Sequence, residues 1–264
     1  MEFELHDQGL VHDLTTMMSR RRALKLIAGA GLFTLASCAP GTAVTTTGIA
    51  ASGSDADCDL IPEETAGPFP GDGSNGPNVL AQSGVVRGDI RSSFGDASGV
   101  AEGIPLTIRV IVQDQANGCA PFTGAAVYLW HCNRDGDYSI YSEAVAGENY
   151  LRGVQEASDD GSVTFTSIFP GCYSGRWPHI HFEVFPSLEA ATDSANKIAT
   201  SQIAFPAESC RLAYATAGYE QSIDNLSRIS LETDNVFSDG VEHQLGTVTG
   251  GVEEGFVVEL TVTV

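Results

Sequence analysis

The sequence predicts an all-β protein, a β-sandwich with long active-site loops and little helix. Three observations carry that prediction. Short runs rich in β-branched and aromatic residues recur from residue 106 onward, each bounded by Gly, Pro, Asp or Asn. Two of them, 106–112 and 256–264, alternate apolar and polar residues in part, as half-buried strands do. Only 188–196 and 213–226 have helical character.

In order, the strands are 106–112, 125–131, 163–168, 180–185, 198–205 and 256–264. The second ends on Trp130 and His131 and runs into the polar turn Asn133-Arg134-Asp135-Gly136. The fourth lies between Pro178 and Pro186, and the fifth stops at Pro206, residues that cannot donate to a ladder. The insertion-like stretch 143–152 would either cover the functional site or merely decorate it.

The N-terminus reads as targeting sequence and is set aside from the fold. Ser19-Arg20-Arg21-Arg22-Ala23-Leu24-Lys25 is a twin-arginine export signature followed by an apolar run, 26–36. That run is too short for a membrane span, which takes about 20 residues. Leu35-Ala36-Ser37-Cys38 reads as a lipobox, so residues 1–37 are a signal peptide and Cys38 is the expected lipid anchor. Residues 38–57, rich in Thr, Ser, Gly and Ala, form a flexible tether, and the folded domain is 58–264. The expected location is the outer side of the cytoplasmic membrane or the cell envelope. An ordinary signal peptide, with Cys38 incidental, is the alternative.

The formal net charge is −21, from 34 acidic and 13 basic residues. Nucleic-acid binders carry a basic face, so nucleic acid is excluded as a partner. Membrane attachment must come through lipid, since no basic patch would serve. Beyond Cys38 stand Cys58, Cys119, Cys132, Cys172 and Cys210, an odd count that leaves at least one thiol unpaired. None is spaced as Cys-x-x-Cys, so packing or bridging is their expected role.

Chemistry concentrates in Tyr173-Ser174-Gly175-Arg176-Trp177-Pro178-His179-Ile180-His181. Histidines one residue apart on a strand point the same way, because strand side chains alternate with a period of two. Neutral imidazole is the commonest side-chain metal ligand. A deprotonated tyrosine oxygen is a hard anionic donor suited to Fe(III). With Tyr138 upstream, two tyrosines and two histidines would supply four ligands and leave a position open for chemistry.

These motifs resemble the intradiol ring-cleavage dioxygenases, and in the same order. Gly124-Ala125-Ala126-Val127-Tyr128-Leu129-Trp130-His131-Cys132 followed by Gly136-Asp137-Tyr138 is similar to the strand and turn that deliver the family's first tyrosine ligand. The segment 160–173 is similar to the one delivering the second. Arg176 stands three residues before His179, as the family's active-site arginine does, and Gln202-Ile203-Ala204-Phe205-Pro206 resembles the strand carrying a supporting glutamine. Pro62-Glu63-Glu64-Thr65-Ala66-Gly67-Pro68 resembles the family's opening segment, so the likeness runs from about 58 to about 206.

The resemblance implies a β-sandwich close to the protocatechuate-dioxygenase-type core. It further implies non-haem Fe(III) held by Tyr138, Tyr173, His179 and His181. The substrate would be a catechol-type aromatic, cleaved with O2 between its two hydroxyl-bearing carbons to a cis,cis-muconate-type diacid. Tyr173 would be the ligand that leaves the metal and acts as base. Arg176 would stabilise developing negative charge, and Gln202 would orient substrate from behind the ligands. Trp177-Pro178 is bulkier than the Pro-Ala common in protocatechuate enzymes, which would reshape the pocket.

Rival readings stand beside these. Tyr141 and Tyr150 compete with Tyr138 as the first tyrosine. Glu183 shares the face of the two histidines, and a two-His-one-carboxylate set would suit Fe(II). Trp130 and His131 read as packing residues, and a strand Gln such as Gln202 commonly faces solvent. At the level of function, the alternatives are a non-catalytic exported β-sandwich that binds a partner, and a metal oxidase of different chemistry.

Overall fold

The computed structural model describes residues 58–264. The export signal, Cys38 and the tether lie outside the described residues. Among the described residues, no helix is long and apolar enough to cross a membrane.

One sheet contains β1 (Pro105–Asp114), β2 (Ala120–Pro121), β5 (Ser162–Ile168), β8 (Thr247–Gly251) and β9 (Gly255–Thr263), in the order β2-β1-β9-β8 with β5 also paired to β1. The other contains β3 (Ala126–Trp130), β4 (Arg152–Glu156), β6 (His179–Phe185) and β7 (Ala199–Ala204), in the order β4-β3-β6-β7. The six predicted strands are all present to within a residue or two at their ends. The C-terminal β9 runs parallel to β1, with Leu106 opposite Phe256 and Val110 opposite Leu260.

The alternation in β1 and β9 points Leu106, Ile108, Val110, Val112, Phe256, Val258, Leu260 and Val262 inward. They meet Val127, Leu129, Ile180, Phe182, Val184 and Ile203 of the second sheet in one core. Burying such side chains contributes about 1.5–3 kcal/mol each. The second sheet is buried on both faces, since every residue of β3, β6 and β7 is buried. Its outer face carries a separate cluster in which Tyr128, Trp130 and Tyr138 pack with Val79, Leu80 and Val85 of the covering N-terminal loops. The functional side chains lie on this outer face.

Three strands escaped the sequence reading. β2 has two residues, β8 contains Gly250 and Gly251, and β4 reads polar as Arg152-Gly153-Val154-Gln155-Glu156. The stretch 143–152, read as an insertion, makes a 3-10 turn at Glu143–Val145 and feeds β4. The helical reading needs correction too. Residues 188–196 form two single 3-10 turns, Ala190–Thr192 and Ser194–Asn196, because the extended Asp193 stops the first and caps the second. The predicted helix at 213–226 is two helices, α1 (Ala207–Tyr214) and α2 (Glu220–Leu226), interrupted by Gly218 at φ +93°.

Cys58 pairs with Cys119, tying the start of the domain to the β1–β2 turn. Cys132, Cys172 and Cys210 are free and buried.

Candidate metal centre

β6 places His179 and His181 two residues apart on the outer face, and strand register builds a row around the second. Arg152 pairs with Trp130, Trp130 with His181, and His181 with Gln202. Trp130 and His181 stack with ring centroids 4.9 Å apart and planes 3° apart. Two loops complete the group. The turn after β3 brings in Tyr138, whose N–H donates to Ser142 Oγ at 3.0 Å. The segment after β5 brings in Tyr173, against whose Cβ Gly136 (φ +92°) packs so closely that a side chain there would collide.

The four side chains converge on His179 Nε2. Tyr138 Oη lies 3.4 Å from it, Tyr173 Oη 3.2 Å and His181 Nε2 3.1 Å. His179 Nδ1 lies 2.5 Å from the Trp177 carbonyl and can only donate to it, so Nε2 presents a lone pair to this group. One lone pair cannot satisfy three such neighbours. The spacing would let all four donors share one ion, each about 2 Å from it. The residues therefore fit a metal, and two phenol oxygens with two imidazoles match a hard trivalent ion.

Electrostatics agree. Burial, and then the Arg176 cation, hold the His179 imidazole well below its ordinary pKa; burial and His179 do the same to His181. Burial raises the Tyr138 phenol well above its usual range, and Tyr173 is pushed up to about 12, the increase limited by Arg176. All four groups are thus neutral in the protein alone and present lone pairs without net charge.

Arg176 sits beside them, with Nη1 3.4 Å from His179 Nε2. Its Nη2 donates to Gln202 Oε1 at 2.6 Å, and Gln202 Nε2 donates to the Thr65 carbonyl at 3.0 Å. Gln202 does not face solvent: it is fully buried, because the N-terminal segment covers β7. That segment also lies over His181, since a Cβ on Gly67 (φ +67°) would stand 3.4 Å from His181 Cε1.

The rivals fall elsewhere. Tyr141 Oη donates to Asn75 Oδ1 and accepts from the Gly71 N–H, both at 2.9 Å. Tyr150 belongs to a different cluster, with Ala101, Leu151 and Ile168. Glu183 shares the histidine face but pairs with Lys197 Nζ at 2.7 Å, its pKa raised to about 7 by burial. Among the described residues no three His, Cys, Asp or Glu side chains are arranged to hold a metal. His131 is a packing residue, its Nδ1 2.7 Å from the Cys132 carbonyl and its Nε2 2.7 Å from Ser167 Oγ.

Sequence reasoning missed Asp234. It is wholly buried and accepts from Arg176 Nε at 3.0 Å and from the Trp177 N–H at 2.7 Å. Nothing in the polar run around it marks it out. A cavity of about 720 Å³ between α1, α2 and Trp177 is lined mainly by apolar residues, away from the four converging side chains.

Fold and site together define a β-sandwich protein in which two phenols and two imidazoles converge at one point. A family model described as "Dioxygenase" matches residues 75–212, more than half of the chain. An intradiol ring-cleavage dioxygenase from Tetranychus urticae superposes with a TM-score of 0.59 at 25% identity, covering 78% of this chain and 94% of that one. A chlorocatechol 1,2-dioxygenase from Rhodococcus opacus is 43% identical over 53 residues, which is 20% of this chain; the match spans about a fifth of that relative's length, 21%. The chain belongs to the intradiol ring-cleavage dioxygenase family.

Proposed function

We propose that this protein is a non-haem Fe(III) intradiol dioxygenase. It would cleave a catechol-type aromatic with O2 between the two hydroxyl-bearing carbons, yielding a cis,cis-muconate-type diacid. The observation that carries this reading is the convergence of Tyr138, Tyr173 and His181 within 3.1–3.4 Å of His179 Nε2, with Arg176 alongside. Tyr138, Tyr173, His179 and His181 would hold the ion. An Fe(III) ion held there would supply a Lewis acid that lowers the pKa of catechol hydroxyls.

The chain's own groups then divide the work. Both phenols must lose their protons as the ion binds, so loading is coupled to proton release. Tyr138 is 1% exposed and enclosed, while Tyr173 is half-buried at the rim. Tyr173, the more exposed of the two, is the phenol we assign to take a catechol proton on its oxygen. Arg176 keeps its charge at any working pH and stabilises negative charge developing on the ring and its oxygens. Gln202 acts one step back, bracing the Arg176 guanidinium against the Thr65 carbonyl rather than meeting substrate itself. The covering segment at Gly67 keeps water from His181.

Export and lipid attachment at Cys38 belong to the same proposal. The Cys58–Cys119 disulfide supports an oxidising compartment. Mass spectrometry of the mature N-terminus tests it: a lipid-modified Cys38 is expected, and an intact precursor would count against it.

For the enzyme, the test is the visible spectrum of iron-loaded protein before and after catechol is added without oxygen. A tyrosinate-to-iron charge-transfer band that moves to longer wavelength is expected, followed on aeration by a diacid carrying both atoms of labelled O2. A protein that takes up no iron and stays colourless would sink the reading.

A further inference from the structure

We infer that Asp234 is a positioning residue of the active site, acting through Arg176; this rests on the function proposed above. Asp234 lies beyond the end of the family match at residue 212, in the loop that follows α2.

Its carboxylate is fully buried and fully used. Oδ2 accepts from Arg176 Nε at 3.0 Å and from the Trp177 N–H at 2.7 Å. Oδ1 accepts from the Val236 N–H at 2.8 Å and the Phe237 N–H at 3.2 Å. The two oxygens have separate tasks. Oδ1 closes the turn of its own loop, which is a structural duty any short acceptor could meet. Oδ2 reaches across to the 173–181 segment and seizes one edge of the guanidinium.

A guanidinium is a rigid planar fork, so fixing Nε and one terminal nitrogen fixes the whole plane. Asp234 holds Nε and Gln202 holds Nη2, which leaves Nη1 directed at the converging tyrosines and histidines, 3.4 Å from His179 Nε2. The Phe237 ring, anchored by the same carboxylate, lies 5.9 Å from the Arg176 carbon and 6.5 Å from the His179 ring. A buried ion pair adds little net stability against its desolvation cost. Orientation is what this one provides: without the carboxylate, Nε is released, and only the contacts of the two terminal nitrogens, to Gln202 and His179, oppose rotation of the guanidinium.

Asp234→Asn separates the two tasks, because its amide oxygen still closes the turn while its NH2 faces the donors of Arg176 and Trp177. The experiment is a double-mutant cycle of Asp234→Asn and Arg176→Gln in the iron-loaded chain, read in kcat, KM, iron content and the visible band. Asp234→Asn is expected to lower kcat about 10- to 100-fold, with KM, iron content and band position nearly unchanged. Arg176→Gln is expected to lower kcat about 100- to 1,000-fold, and the double variant no further, within about threefold. Independent, multiplying losses, or loss of iron from Asp234→Asn, would overturn the assignment. If Asp234→Asn does not fold, Asp234→Glu takes its place in the cycle. It keeps the charge but displaces the carboxylate by one methylene, and the same non-additivity is required of it. A wild-type protein that binds iron and cleaves no catechol would overturn the function itself, a different result from an active enzyme with an additive cycle.

Discussion

Trp130 lies flat against His181, the two ring planes 3° apart and the centroids separated by 4.9 Å. The contact follows from register, since the two residues face each other across β3 and β6. Tyr128 also stacks on Trp130, with centroids 5.0 Å apart, so His181 joins a short aromatic column that steadies its imidazole.

That column makes a prediction. Trp130 Nε1 is buried without a hydrogen-bond partner, so Trp130→Phe removes an unsatisfied donor while keeping a ring beneath His181. Its stability should stay within about 1–2 kcal/mol of wild type, the lost area being offset by relief of the orphaned N–H. Trp130→Ala should cost about 3–5 kcal/mol and lower iron affinity about 10- to 100-fold. Urea unfolding and competitive iron titration give both numbers.

The tyrosines divide cleanly. Tyr138→Phe and Tyr173→Phe should each deplete bound iron and change the visible band. Tyr141→Phe should leave both unchanged, because its hydroxyl serves Gly71 and Asn75, and should cost only about 1 kcal/mol of stability. A band altered in Tyr141→Phe but not in Tyr138→Phe would exchange their roles.

His131 sets a pH dependence. Burial lowers its pKa to about 4 from an ordinary value of 6.5, so it is neutral when folded and takes up a proton on unfolding below pH 6.5. Its contribution is present above pH 6.5 and is lost as pH falls toward 4, on the order of 3 kcal/mol in all. His131→Gln should be less stable at pH 7 yet lose less stability between pH 6.5 and 4. Urea unfolding at several pH values, compared with wild type, would show equal slopes if this assignment is wrong.

The Cys58–Cys119 disulfide spans 61 residues of sequence and constrains the unfolded chain. Replacing both cysteines by serine should cost about 2–4 kcal/mol, measured by urea unfolding, and leave iron content intact. Iron loss in that variant would show that the start of the domain is needed to hold the covering segment over His181.

What could be read directly from the residues is what local periodicity encodes. A strand's period of two already places His179 and His181 on one face, and β-branched runs between turn residues mark six of the nine strands among the described residues. The ligand candidates Tyr138 and Tyr173 were legible through motif order, although their neighbours Tyr141 and Tyr150 carry the same chemistry and no local signal separates them. Tertiary structure decided the rest. It turned Tyr141 toward Asn75 and Tyr150 into another cluster, and gave Glu183 to Lys197 although its strand position matches the histidines. It paired Cys58 with Cys119 and left three thiols buried, and it brought Asp234 to Arg176 across 58 residues of sequence. The physical reason is the same in each case: a side chain's class and face are set by its own strand, but its partner is set by which distant segment packs over that face.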